Sequence, residues 1–231
     1  MRAALAIAGL LLAGCSGPPA STSYFPLDAG RRWAYEQVTE WENNTVEREP
    51  LVLRALGSDT LESGTAWRRR SDSGIDYWLR ADDTGIYRVA TKTDLQDEPE
   101  PDKAPRFVLK MPLAVGTTWQ APTTTYLLRR NADFPPEIRH THKPVPMTYR
   151  IEALGDKLTT RAGSFSDCIR VQGTAVMKLF ADPVVGFKDM PLTTTEWYCQ
   201  GVGLVKVERT EPANSTFLAG GKTTLELLEW N

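Results

Sequence analysis

Asp72-Ser73-Gly74 and Asp83-Thr84-Gly85 both spell the Asp-[Ser/Thr]-Gly phrase on which aspartic proteases mount a carboxylate. Two such carboxylates held together share one proton, so one serves as base while the other serves as acid. That chemistry draws its two phrases from separate lobes or subunits. Here they lie 11 residues apart, on either side of "IDYWLR", and each has the composition of a tight turn. Gly221-Lys222-Thr223 looks like the end of a phosphate-binding loop, but the position five residues before Gly221 is Thr216, where the pattern needs glycine. The eight residues after Thr223 leave no room for the helix and sheet such a loop requires. Gly220-Gly221 is read instead as a hairpin turn before a closing strand. His140 and His142, the two histidines of the chain, would share one face of an extended segment, as two ligands of one metal do. No cysteine is free nearby to join them, so they are read as loop residues. With no Gly-x-Ser-x-Gly elbow and no His-Glu-x-x-His, no catalytic residue, metal or cofactor is assigned, and a non-enzyme is expected.

The chemistry that can be assigned lies at Cys15. Arg2 precedes a short apolar run, Ala3 to Ala13, that ends in Leu12-Ala13-Gly14-Cys15. The run is too short for a stable transmembrane helix and reads as a secretory signal over residues 1–14. Its ending resembles the bacterial lipoprotein lipobox, which implies cleavage before Cys15 and lipid attachment there through fatty acyl (palmitate-type) chains. Each buried methylene contributes about 0.8 kcal/mol, so three chains hold a protein on a membrane almost permanently. Ser16, rather than Asp, after that cysteine implies the outer membrane, with the protein facing the periplasm. Residues 15–24 are read as a flexible tether, and the nine from Cys15 to Ser23 reach at most about 30 Å.

Cys168 and Cys199 remain, each in a strand-like run. In an oxidising compartment a pair of thiols is expected to be bridged, the alternative being two buried apolar thiols. A bridge closing that loop would contribute about 3–4 kcal/mol by chain entropy. The full chain carries a net charge of −2; without Arg2 it has 26 basic against 29 acidic residues. Near-neutrality without a long basic stripe excludes nucleic acid as the expected partner. Arg68-Arg69-Arg70 and Arg129-Arg130, the basic clusters, are read as solvated strand faces.

The elements that carry these residues are written twice. "FPLDAGRRW" (25–33) and "MPLAVGTTW" (111–119) share Pro-Leu-x-x-Gly-x-x-Trp. Ala55-Leu56-Gly57 matches Ala153-Leu154-Gly155, and "YWLRADDTGIYRV" matches "EWYCQGVGLVKV". The separation grows along the chain, as loop insertions into a duplicated unit would make it. Thr, Val, Trp and Tyr in runs of five to ten residues, with Gly, Asp and Pro punctuation, predict strands. The expected fold is all-β: residues 25–231 form a single domain of antiparallel, strongly curved sheet with little helix. Its pseudo-repeats are about 25–108 and 109–231, and half-barrel, barrel and sandwich all remain open. Short stretches after Pro135 and around Leu225 are the best helix candidates. "DLQDEPEPDKAP" (94–105) is expected to be an exposed linker that holds no ladder.

"YFPLDAGRRWAYE", "MPLAVGTTW", "AGSFSDCIRV" and "EWYCQGVGLVKVE" together are similar to a loose group of uncharacterised bacterial lipoproteins with a Tyr-aromatic-Pro-Leu-x-x-Gly-x-x-Trp opening of the mature chain. The resemblance implies an envelope β domain and brings no catalytic residue with it. Three functions follow as expectations. The first is a membrane-anchored protein that binds a partner or an apolar or envelope-derived ligand in its curved sheet. The second is a structural or assembly accessory of an envelope complex that docks by a sheet edge. The third is a carboxylate-dependent enzyme, which would show converging carboxyl groups in a cleft.

Overall fold

The computed structural model describes residues 23–130, 144–182, 184, 186–215 and 218–231. Cys15, the tether up to residue 22, the stretch after Pro135 and both histidines lie outside them. Among the described residues there are fourteen strands and no helix. Strands β1 (Arg32–Trp41), β2 (Val46–Leu61), β3 (Gly64–Ser71), β4 (Ile75–Asp82), β5 (Gly85–Thr93) and β6 (Glu100–Lys110) run as one antiparallel meander. A second meander comprises β7 (Thr118–Thr123), β9 (Val145–Thr160), β10 (Gly163–Asp182), β11 (Gly186–Cys199), β12 (Gly203–Glu211) and β14 (Gly221–Trp230). β1 pairs with β14, which joins the two meanders into one twelve-stranded sheet with β6 and β7 at its edges. The sheet curls until it is nearly closed into a barrel. A two-stranded ladder, β8 (Arg129–Arg130) with β13 (Leu218–Ala219), stands apart from it.

The repeated phrases form the same local structure. In each, Pro-Leu lies before the strand, glycine adopts a left-handed φ (83° at Gly30, 93° at Gly116), and the strand begins just before the Trp. Gly30 N–H donates to Ala55 O while Ala55 N–H donates to Arg31 O. Gly116 and Thr117 make the same pair of bonds with Ile151. Trp33 and Trp119 are buried, and Leu27 and Leu113 are half-buried against the main core. The phrases differ in one respect, since the bond before Pro112 is cis. Further along, Gly57 and Gly155 each take a positive φ at a register shift, where only glycine is free of a Cβ clash. Trp78 and Trp197 both stand beside a bulge against the following strand.

Three expectations are corrected. Leu225 lies within β14, not in a helix, because its residues alternate faces against β1 and β12. Gly220-Gly221 is not a hairpin turn: Gly221 opens β14, where a Cβ would lie 2.4 Å from Glu40 O, and one on Gly220 would lie 2.4 Å from Ala213 N. Close backbone approach, not turn geometry, requires glycine there. The second half of the acidic stretch does hold a ladder, since Glu100 and Pro101 pair with Thr91 and Ala90. β6 is an edge strand, so Pro101 and Pro105 sit where a missing donor costs least. The two Asp-[Ser/Thr]-Gly phrases are turns at the two ends of β4.

The main core fills the barrel with side chains such as Leu109, Met147, Ile151, Ile169 and Leu192, each essentially without exposure. A second cluster gathers Trp33, Tyr35, Val205 and Leu227 around a disulfide between Cys168 and Cys199, which face each other directly across β10 and β11.

Candidate functional site

The barrel has two unlike ends. At one end lie Ser23, the short turns between β2 and β3, β4 and β5, and β9 and β10, and the turn after β11, where Gly201 N–H donates to Ser23 O (2.9 Å). At the other end lie the connections after β7 and β12, the one between β5 and β6, and the turns between β1 and β2 and between β3 and β4. β1 runs from the first end to the second over ten residues, about 33 Å of strand.

At the second end the inward residues of β1, β2 and β14 turn polar. Register places Gln37, Thr39 and Trp41 of β1 beside Glu49 and Glu47 of β2, and beside Leu225 and Thr223 of β14. Thr39 and Thr223 bond through their hydroxyls at 2.6 Å. With Tyr126 and Leu127 from the loop after β7 and Arg129 of β8, all of these but Leu225 line a half-open chamber of about 330 Å3. A neighbouring hollow of about 270 Å3 shares Trp41 and Arg129 with it.

One buried carboxylate holds a wall in place. Glu211, the last residue of β12, is wholly buried and accepts backbone N–H bonds from Tyr126, Leu127 and Leu128 at 2.8 to 3.1 Å. Arg209 lies on the same face and pairs with it at 2.5 Å, donates to Thr123 Oγ1 and Thr124 O, and places its guanidinium 4.0 Å from the centre of the Tyr126 ring. Three amide dipoles and one cation thus converge on one anion, which offsets its desolvation and holds the loop in place. Glu42, exposed just after β1, lines the neighbouring hollow and accepts from Ala213 and Asn214 N–H.

Facing the chamber, Arg129 lies over the Trp41 ring at 4.1 Å and pairs with no carboxylate among the described residues. Glu47 and Glu49 are exposed and make no ion pair among the described residues. The Trp41 indole N–H, on a residue 9 % exposed, is buried without a hydrogen-bond partner. Charged groups of both signs, Arg129 on one side and Glu47 and Glu49 on the other, therefore line the chamber without an ion pair among the described residues. This polar lining does not suit an apolar ligand.

Elsewhere inside the barrel, burial holds the Glu196 carboxyl above the ordinary carboxylate range, with the Tyr198 hydroxyl bond and the Arg209 and Arg106 charges opposing that rise. A raised carboxyl favours the protonated fold, so its contribution is fully present below about pH 4.5, the ordinary value, and is lost as pH rises through the folded value. Glu196→Gln is therefore expected to gain stability relative to the parent chain as pH rises above the ordinary carboxylate value, read from urea midpoints. A difference that stays constant with pH would refute this.

Of the basic clusters, Arg69 contradicts the solvated reading. It is 6 % exposed, sandwiched between Phe25 and Trp33 at 4.1 and 4.2 Å, and donates to Pro26 O. Burial lowers its pKa to about 10, so it stays charged at neutral pH. Alternation explains the error: Arg68 and Arg70 point outward, and the middle arginine must point in. It ties the N-terminal segment to the barrel.

Among the described residues no group of three or more His, Cys, Asp or Glu could hold a metal. The expected sites come apart in space: the disulfide lies at the tether end, and the chamber at the other. The chamber went unread in the sequence. Its one signal is the alternation Gln37-x-Thr39-x-Trp41 and Glu47-x-Glu49, polar residues on a face that elsewhere is apolar.

The fold thus defines a class, a nearly closed antiparallel barrel of two six-stranded meanders. No family model and no curated protein matches the sequence. Two crystal structures are similar. One is of a candidate lipoprotein from Parabacteroides distasonis, with 16 % identity over 91 % of this chain and 99 % of that one and a TM-score of 0.42. The other is of a candidate exported protein with a YmcC-like fold from Bacteroides fragilis, with 15 % identity over 90 % and 98 % and a TM-score of 0.39. Likeness at this level carries no function across.

Proposed function

We propose that this protein is a lipid-anchored protein of the bacterial envelope, held at the outer membrane through Cys15, that binds a ligand in the chamber between β1, β2 and the loop after β7 without catalysing a reaction. The observation that carries the reading is a chamber at the end opposite Ser23 lined by Arg129, Glu47 and Glu49, none of them ion-paired among the described residues, beside the exposed Tyr126 ring. A tether of at most about 30 Å leaves that end directed away from the membrane and open to the periplasm. The edge strands speak against the accessory reading. Pro101, Lys103, Pro105 and Lys110 on β6 and Pro122 on β7 discourage strand addition.

Cys15→Ser is expected to move the protein from the membrane fraction to the soluble one. Retention of the variant on membranes after a high-salt wash would refute the anchor. The mature lipoprotein taken from cells in mild detergent is expected to carry a small-molecule adduct in native mass spectrometry, and Trp41→Ala should shed it. An adduct indifferent to that change would move binding away from the chamber.

A further inference from the structure

We infer that the chamber takes a neutral, polyhydroxylated ligand, an oligosaccharide segment of one or two sugar residues. The inference rests on the binding role proposed above and names its chemistry. On one wall stand acceptors without partners, the carboxylates of Glu47 and Glu49. As inward neighbours two residues apart on β2, they are spaced by about 7 Å, comparable with the width of a pyranose ring and its hydroxyls. On the other wall stands a donor that pairs with no carboxylate among the described residues, the Arg129 guanidinium, lying over the Trp41 ring.

An anionic ligand would satisfy Arg129 but meet two carboxylates. A cationic one would satisfy the carboxylates and meet the Arg129 guanidinium. An apolar one would strip water from all of them and replace none of their hydrogen bonds. A hydroxyl both donates and accepts, so a ring bearing several of them matches both walls without net charge. Tyr126 adds a platform. One of its faces rests on Arg209, and 61 % of the residue remains exposed at the chamber mouth, so a flat aromatic surface is free for the C–H face of a sugar. Glu211 holds that tyrosine by its backbone, so the platform is built in advance of binding. A volume of about 330 Å3 lies at the low end for small-molecule sites and accommodates a short saccharide segment.

The test is isothermal titration calorimetry of the mature lipoprotein in a detergent without a sugar head group. The neutral probes are cellotetraose, maltotetraose and an N-acetylglucosamine tetramer. Tetragalacturonate serves as the anionic probe, a chitosan tetramer as the cationic one, and lauric acid as the apolar one. A neutral tetramer is expected to bind, and Tyr126→Ala and Glu49→Gln should each weaken it at least tenfold. Both residues are exposed, so an unchanged melting temperature should accompany the loss. Binding of a charged or apolar probe in place of the neutral tetramers, sensitive to the same two changes, would overturn the sugar and leave the chamber's binding role standing. Saccharide binding indifferent to both changes would overturn the assignment to this chamber. Failure of every probe would overturn the sugar, and together with absence of the adduct from cells it would overturn the binding role as well.

Discussion

Glu211→Ala is expected to lower the unfolding free energy by about 3–5 kcal/mol, the usual cost of removing one partner of a buried ion pair. The side chain has no exposure, and its carboxylate collects the N–H groups of Tyr126, Leu127 and Leu128 as well as Arg209. Its loss leaves three backbone donors without that acceptor and a buried guanidinium without its counter-ion. None can reach water unless the loop after β7 moves. Glu211→Gln should cost less, because it keeps one acceptor oxygen, but its amide nitrogen must then face a donor. Urea unfolding of the two variants measures both effects. Alanine and glutamine variants that unfold at the parental midpoint would show that the cradle does not stabilise the fold. Since Tyr126 and Arg129 follow this loop, the same substitution should also abolish the Trp41-dependent adduct.

Trp33→Ala and Trp119→Ala are each expected to cost about 3–5 kcal/mol, as truncation of a buried aromatic does. They are 1 % and 5 % exposed and occupy the same place in the two meanders. The first should cost more. Trp33 donates its indole N–H to Val202 O at 2.7 Å and covers one face of Arg69, so its removal also strips a buried cation of a partner. Trp119 stacks on Tyr149 at 5.6 Å, and its N–H has no partner to lose. Matched costs near zero would mean that the repeated phrase serves no common packing purpose.

The repeated phrase was legible because turn chemistry is local. Pro, a left-handed Gly and an inward Trp must fall at fixed offsets for a strand to enter the sheet, and both copies keep them. The strands followed from their alternation, and the chance that Cys168 would meet Cys199 followed from the compartment implied by the residues before Cys15. Ala55-Leu56-Gly57 and Ala153-Leu154-Gly155 announced their bulges in the same way, by placing glycine where φ must be positive.

What only the tertiary structure decided depends on residues far apart in the chain. Nothing local distinguishes Glu211 from the exposed acids around it, since its burial comes from a loop 83 to 85 residues away in sequence. Arg69 looks like its neighbours until curvature brings Phe25 and Trp33 against its two faces. The pairing of β1 with β14, which joins the first strand of one meander to the last strand of the other, sets the curvature of the whole sheet. It thereby brings Thr39 beside Thr223 and encloses a chamber with walls from both halves. The sequence by itself determined the all-β class and the entry turns of the repeated phrase, because each rests on neighbours in the chain. The chamber and its polarity arose only on closure, because charged groups of both signs acquire meaning when distant segments bring them together.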